Sequence, residues 1–217
     1  MLTSCRENPN DKSGNAGEGE IVYKITYDKD FEDHHFSFLY PEEMTLFFKD
    51  NCQRLCFKGA KGLYSFEFIY GNELDTVFTM LKIPLFQKKL VVPTCGKNLF
   101  IFSELPHERI TVFLDDTKEI AGLIAKKATL KSIYENVPDI EIWYSDEIPI
   151  EEPNKYTPFH KILGVPLESK IIYNNVSFNF KAHKITSKKI SEDIFKAPTD
   201  YKLTTIEEIE ELLLTVF

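Results

Sequence analysis

Between Leu63 and Tyr70 every second side chain is a large aromatic ring: Tyr64, Phe66, Phe68 and Tyr70 alternate with Ser65, Glu67 and Ile69. A helix would scatter these rings around its circumference. A strand, whose side chains repeat every two residues, puts all of them on one face. Such a strand leaves water only by laying that face against other apolar surface, so the segment demands a sheet with a deep apolar side.

The same alternation recurs along the chain. Ile21, Tyr23, Ile25 and Tyr27 alternate with Val22, Lys24, Thr26 and Asp28, and Val176, Phe178 and Phe180 alternate with Ser177, Asn179 and Lys181. Shorter stretches of strand character are predicted over 36–40, 44–49, 53–57, 76–83, 88–92, 99–102, 110–114, 125–130, 140–144 and 170–173. Turn signals separate them, among them Lys49-Asp50-Asn51, Gly59 to Gly62, Gly71-Asn72 and Asn174-Asn175. The result is a long antiparallel meander. Residues 116–122 read equally as a short helix or a turn. One helix closes the chain: Thr204 or Thr205 caps it, Glu207 and Glu208 fill its first turn, and Ile206, Ile209, Leu212, Leu213 and Val216 give it one apolar face to lay on the sheet.

With 18 Phe and 10 Tyr but one Trp, the chain carries more rings than an ordinary core uses. Two readings stay open. The rings fill a core, or Tyr64, Phe66, Phe68, Tyr70, Phe178 and Phe180 line a cavity for an apolar ligand. A net charge of −8, with Lys and Arg scattered among acids, argues against a nucleic-acid partner.

The amino terminus reads differently. Leu2-Thr3-Ser4-Cys5 has the form of a bacterial lipoprotein box, in which Cys5 is acylated on sulfur and becomes the mature terminus. The charged and hydrophobic parts of an export signal are missing before it, so Met1 reads as a mis-assigned start. Arg6 to Gly19 contains no large apolar residue and suits a flexible tether spanning about 20 Å root-mean-square. The division expected is a tether over 1–19 and one β domain over 20–217, anchored to a membrane through Cys5.

Little in the sequence promises chemistry. His34, His35, His107, His160 and His183 show no zinc-site spacing, and no phosphate loop or nucleophile elbow is present. No metal, cofactor or catalytic residue is expected. On a strand Cys52 and Cys56 would lie about 13 Å apart, beyond the ~7 Å that a disulfide spans, and both read as small strand residues. Asp146-Glu147 and Glu151-Glu152 fall in a Pro-rich connection, where a solvated loop is expected.

Four segments then carry a likeness: Thr117-Lys118-Glu119-Ile120-Ala121-Gly122 with Lys126-Lys127-Ala128, Glu141-Ile142-Trp143-Tyr144-Ser145-Asp146-Glu147-Ile148, Gly164-Val165-Pro166-Leu167-Glu168, and Ile194 to Lys202 (IFKAPTDYK). Together they resemble a family of envelope proteins of unknown function, related to the GLPGLI proteins and found mainly in Bacteroidetes-type bacteria. The likeness covers residues 20–211 and is weaker in the first half, around Cys52 to Cys56. It implies the fold of the Lol-type periplasmic lipoprotein carriers, an incomplete antiparallel barrel whose apolar concave face is plugged by helices. It implies no established activity. Each motif also has a structural explanation: Gly122 and Gly164 would permit positive φ or tight turns, and Trp143 would pack on the sheet.

The fold class expected is therefore mainly β within α+β: a large curved antiparallel sheet or half-open β-barrel with a few helices, the C-terminal one included. The expected role is a non-enzymatic envelope lipoprotein on the periplasmic side, anchored at the outer membrane and binding a lipid or other hydrophobic ligand in the concave face. The alternative is an interaction or scaffold module with a filled core and a protein partner. The first predicts an elongated apolar cavity, the second an exposed apolar patch and no cavity.

Overall fold

A computed structural model of the chain describes residues 17–28, 37–71, 74–96, 99–102, 109–135, 137–173 and 176–216. Its strands are β1 (Glu18–Tyr27), β2 (Glu43–Lys49), β3 (Cys52–Gly59), β4 (Tyr64–Gly71), β5 (Leu74–Ile83), β6 (Lys88–Cys95), β7 (Arg109–Ile120), β8 (Leu123–Ser132), β9 (Ile140–Ser145), β10 (Val165–Tyr173), β11 (Val176–Ser187) and β12 (Lys202–Leu203); among the described residues a single α-helix, α1 (Ile206–Val216), follows. The strands form one 12-stranded sheet in the order β12-β6-β5-β4-β3-β2-β1-β11-β10-β9-β8-β7. Two antiparallel meanders, β1 to β6 and β7 to β11, are zipped together where β1 pairs with β11, with Ile25 opposite Phe180. β12 joins β6 in parallel. The sheet does not close, because β7 and β12 stand at its two edges. The expected half-open, mainly β architecture is what the chain adopts.

Alternation decides the faces. Ile21, Tyr23 and Ile25 of β1, Met44, Leu46 and Phe48 of β2, and Tyr64, Phe66, Phe68 and Tyr70 of β4 all enter one buried cluster on the inner face. The bend of the sheet has local causes. Bulges interrupt the register after Val22, after Pro166 and between Phe113 and Thr117, and each bends its strand and increases the local twist.

Residues 116–122, open between helix and turn on sequence grounds, extend a strand and close it with a turn. β7 continues past its bulge and ends at Ile120; Ala121 (φ 51°) and Gly122 (φ 86°) then turn the chain so that Ile120 pairs with Leu123. Positive φ at both turn residues is the two-residue hairpin that matches strand twist. The C-terminal helix also forms as expected: the Glu208 amide donates to Thr205 Oγ1 at 3.3 Å, and Ile209 and Leu213 are buried in the main core.

Two strand expectations fail. Within 36–40 the described residues Ser37–Leu39 form a 3-10 turn, as do Phe100–Phe102 within 99–102. Leu99, Ile101 and Phe102 are buried without alternation, and the Phe102 amide bonds back to the Leu99 carbonyl at 2.9 Å. A segment that buries consecutive side chains and pairs with itself serves as packing, not as a ladder.

The connection between β9 and β10 departs from the solvated loop expected of it. Asp146, Glu147, Glu151 and Glu152 are exposed, but Ile148, Ile150, Tyr156, Phe159 and Ile162 sink into the inner face and join the main core. The plug is therefore mainly a loop with the Leu99 to Phe102 turn beside it, and among the described residues α1 is the one helix that joins the same core, where the family likeness implies helices as the plug. Its polar backbone needs partners, and Asn154 supplies them: this buried amide donates to the carbonyls of Ile162 (2.6 Å) and Gly164 (2.9 Å). The Leu99 amide donates to the Tyr156 carbonyl at 2.8 Å, tying the two plug segments together.

On the outer face a strap over 188–201 crosses β3 to β6. Ile190 and Phe195 bury against Ile69, Met80 and Val91 in a second cluster. Beneath it Arg54 donates from Nε (2.8 Å) and a terminal nitrogen to Glu67 Oε2, and from Nη1 to the Ile194 carbonyl (2.8 Å).

Candidate functional site

The six rings singled out as ligand lining all stand on the inner face. Tyr64, Phe66, Phe68, Tyr70 and Phe180 are buried and Phe178 is half-buried. Their neighbours are protein. Phe66 and Phe68 meet edge-to-face with centroids 4.7 Å apart, Tyr70 meets Tyr156 of the plug at 6.2 Å, Phe180 meets Tyr23 at 5.6 Å, and Phe178 meets Tyr27 at 6.2 Å. Tyr64 donates to the Leu39 carbonyl at 3.1 Å. The first three ring pairs are edge-to-face and the Phe178–Tyr27 pair is tilted, the ring packing of a core. The space left between sheet and plug, bounded by Tyr70, Leu99, Phe102, Phe159 and Phe180 among others, is about 50 Å³. A ligand pocket has roughly 300–1,000 Å³.

The larger recess lies on the other face. A groove of about 1170 Å³ runs across β1, β11, β10 and β9 to the β8–β9 connection, with Lys24, Trp143, Glu168, Lys170, Asn179 and Lys181 along it. Trp143, half-buried, lies under two ammonium groups: Lys118 Nζ is 4.0 Å and Lys127 Nζ 5.6 Å from the ring centroid. Glu168 holds Lys118 and Lys181, each at 2.8 Å. Partial burial pushes the Glu168 carboxyl up, but hydrogen bonds from the two lysines outweigh it and leave the pKa below the usual value. Lys127 pairs with Glu141 at 2.7 Å, and Lys170 with Asp28 at 3.1 Å.

Three of the four segments that carry the family likeness meet at this corner. Lys118, Lys127, Trp143, Glu141 and Glu168 form the outer cluster. Behind it Lys126 pairs with Asp146, and the Ile124 amide donates to Glu147 Oε1 at 2.8 Å. Gly122 has the positive φ expected of it, whereas Gly164 is glycine for closeness: a Cβ there would stand 2.6 Å from the Tyr144 ring and 2.7 Å from the Ser145 carbonyl oxygen. The fourth segment, Ile194 to Lys202, forms part of the strap and β12. Sequence spacing hides this assembly because the partners stand on different strands of the sheet, up to 50 residues apart.

Among the described residues no three His, Cys, Asp or Glu side chains are placed to share a metal ion, and no helix is long and apolar enough to cross a membrane. His160 and His183 are exposed. Cys5, His34, His35 and His107 lie outside the described residues. Cys56 and Cys95 are free thiols. Burial, together with the Glu67 carboxylate 3.5 Å away, pushes the Cys56 thiol up to about 12, so it stays neutral and a poor nucleophile. Iodoacetamide at pH 8 is expected to label exposed Cys95 in the native protein and Cys56 only after unfolding. Peptide mass mapping reads this directly, and rapid native labelling of Cys56 would show that its thiol is neither buried nor held neutral in the fold.

Strand order, plug and groove together define an open β half-barrel whose inner face, among the described residues, is packed by segments of its own chain. Solved structures contain the same architecture. Two crystal forms of PNGF-II match 92% of this chain with TM-scores of 0.55 and 0.54, at 13% and 14% identity, and the match covers 33% of PNGF-II. This chain thus spans about a third of that protein, and at such identity the likeness shows the fold alone. An uncharacterized conserved protein from Thermus thermophilus matches with a TM-score of 0.47 and 10% identity over 87% of this chain and 90% of its own. MucB in complex with MucA reaches 0.37 and 8% over 88% and 58%. These last two are too distant to support an argument. No protein-family model and no curated protein matches the chain.

Proposed function

We propose that this chain is a non-enzymatic interaction module of the cell envelope, which meets a protein partner from outside and carries nothing inside. One observation carries the reading: among the described residues, Ile148, Ile150, Tyr156, Phe159 and Ile162 occupy the inner face where an acyl chain would lie, and the space between Tyr70, Phe159 and Phe180 is about 50 Å³. The outer groove around Trp143 is the surface offered to the partner. It combines size, an aromatic floor and ion pairs held in fixed positions, the composition of a polar recognition surface. The fold's occurrence as a third of a larger protein suits a module. The Leu2-Thr3-Ser4-Cys5 box supports attachment to a membrane through Cys5, on the periplasmic side of the outer membrane, and the polar stretch from Arg6 to the start of β1 at Glu18, two residues shorter than the expected tether, would give the domain reach from that anchor.

Native mass spectrometry of the full chain, purified from a bacterial host, tests the reading. The expected spectrum carries no mass beyond the polypeptide and any covalent acylation, and denaturing solvent extraction releases no free lipid. A stoichiometric lipid or fatty acid that co-purifies noncovalently would show that the plug opens, and would replace the interaction module with a carrier.

A further inference from the structure

On the outer face, apart from the groove, the strap covers Arg54 from one side through the Ile194 carbonyl and leaves its other side open. An open pocket of about 400 Å³ remains there, with Phe47, Arg54, Cys56 and Glu67 as its floor and Lys58, Lys188, Lys189 and Ser191 around its mouth. Four cationic side chains face one carboxylate, in a chain whose net charge is −8. Local polarity is thus the reverse of the global one.

The arrangement of donors is more specific than the charge. Arg54 is held from two sides, by Glu67 and by the Ile194 carbonyl of the strap. Burial lowers its tendency to stay charged, but the adjacent carboxylate more than compensates and its pKa is raised. These contacts engage Nε and one N–H of each terminal nitrogen. Of the two remaining guanidinium N–H donors, one can meet the Cys56 thiol, a weak acceptor, and the other has no partner among the described residues, on a side chain that lines the pocket. Their orientation is fixed before any ligand arrives, which lowers the entropic cost of binding. At the mouth, Lys188 is engaged with Glu20 over the Phe47 ring. Lys58 and Lys189 are exposed and make no ion pair among the described residues.

We propose that this pocket is an oxyanion site for a phosphate monoester, with Arg54 as the fixed cationic donor at its base and Lys58 and Lys189 as the adjustable cations at its mouth. A guanidinium N–H held in a fixed direction gives a charge-assisted hydrogen bond to one oxygen of an oxyanion, and lysines on flexible stems close over the remaining oxygens. The site needs no opening of the core and is independent of the groove around Trp143.

The probe is inorganic phosphate titrated into the full chain and followed by phosphorus NMR line broadening at low ionic strength. The double variant Lys58→Ala/Lys189→Ala is compared with Lys131→Ala/Lys202→Ala, which removes the same charge from exposed positions elsewhere. The pocket variant should bind phosphate at least roughly tenfold more weakly, since charge-assisted hydrogen bonds are lost, while the control stays near wild type. Sedimentation with phosphatidylcholine vesicles, with and without phosphatidic acid, identifies the source of the monoester. Cosedimentation that needs phosphatidic acid and is competed by phosphate marks a lipid headgroup; phosphate binding without it marks a soluble ligand. Absence of phosphate binding by wild type, or equal losses in the two double variants, would overturn the site.

Discussion

Phe159→Ala is expected to remove about 3–5 kcal/mol of stability, the cost of deleting a buried ring when the surroundings cannot collapse into the space. Phe159 is 2% exposed, meets Phe102 edge-to-face at 5.4 Å, and borders the small residual cavity. The plug cannot slide to fill the vacancy, because Asn154 fixes its backbone at Ile162 and Gly164. A urea titration should show the midpoint falling with the slope unchanged. The enlarged cavity is lined mostly by apolar groups and should take up a small aromatic probe that wild type excludes. A loss below about 1 kcal/mol would mean that the plug rests on the sheet without being packed into it. The concave face would then again be available to a ligand.

Arg54→Met should cost roughly 3 kcal/mol, and the reason is Glu67. The pair's side chains are 20% and 12% exposed, so deleting the cation strands a carboxylate under the strap. Breaking such a pair is far worse than replacing it. The double variant Arg54→Met/Glu67→Leu should therefore recover most of the loss, since both positions lie against the apolar cluster of Ile69, Met80 and Ile190. A thermodynamic cycle over the three variants measures the coupling. A single variant as stable as wild type would show that water reaches Glu67 freely. The buried Cys56 thiol would then also be accessible, so the labelling experiment checks the same point independently.

Much of the sheet was legible because strand burial has a period of two. The ring pattern of β4 fixed its inner face, and Phe178 and Phe180 fixed that of β11, without knowledge of any neighbour. The helix cap, read at Thr204 or Thr205, is a local event and was legible as such, whereas the hairpin at Ala121-Gly122 stayed open between helix and turn until its strand pairing was seen. The plug was not. Ile148, Ile150, Tyr156, Phe159 and Ile162 follow neither a two-residue nor a 3.6-residue period, and in a Pro-rich, acidic stretch they read as loop. The only signal was their number, which exceeds what a solvated connection needs.

What the sequence determined alone is therefore the secondary structure of most strands, the face each presents and the abundance of rings on that face, because these follow from backbone stereochemistry and side-chain period. Whether the rings enclose a ligand or a loop was decided only in three dimensions. It depends on where a nonperiodic segment finds its burial and its hydrogen bonds, and Asn154 and the inner face supply both. The grouping of Lys118, Lys127, Trp143 and Glu168, and the pocket over Arg54, were settled at the same level, since strand order and the path of the strap, and no spacing along the chain, bring those charges together.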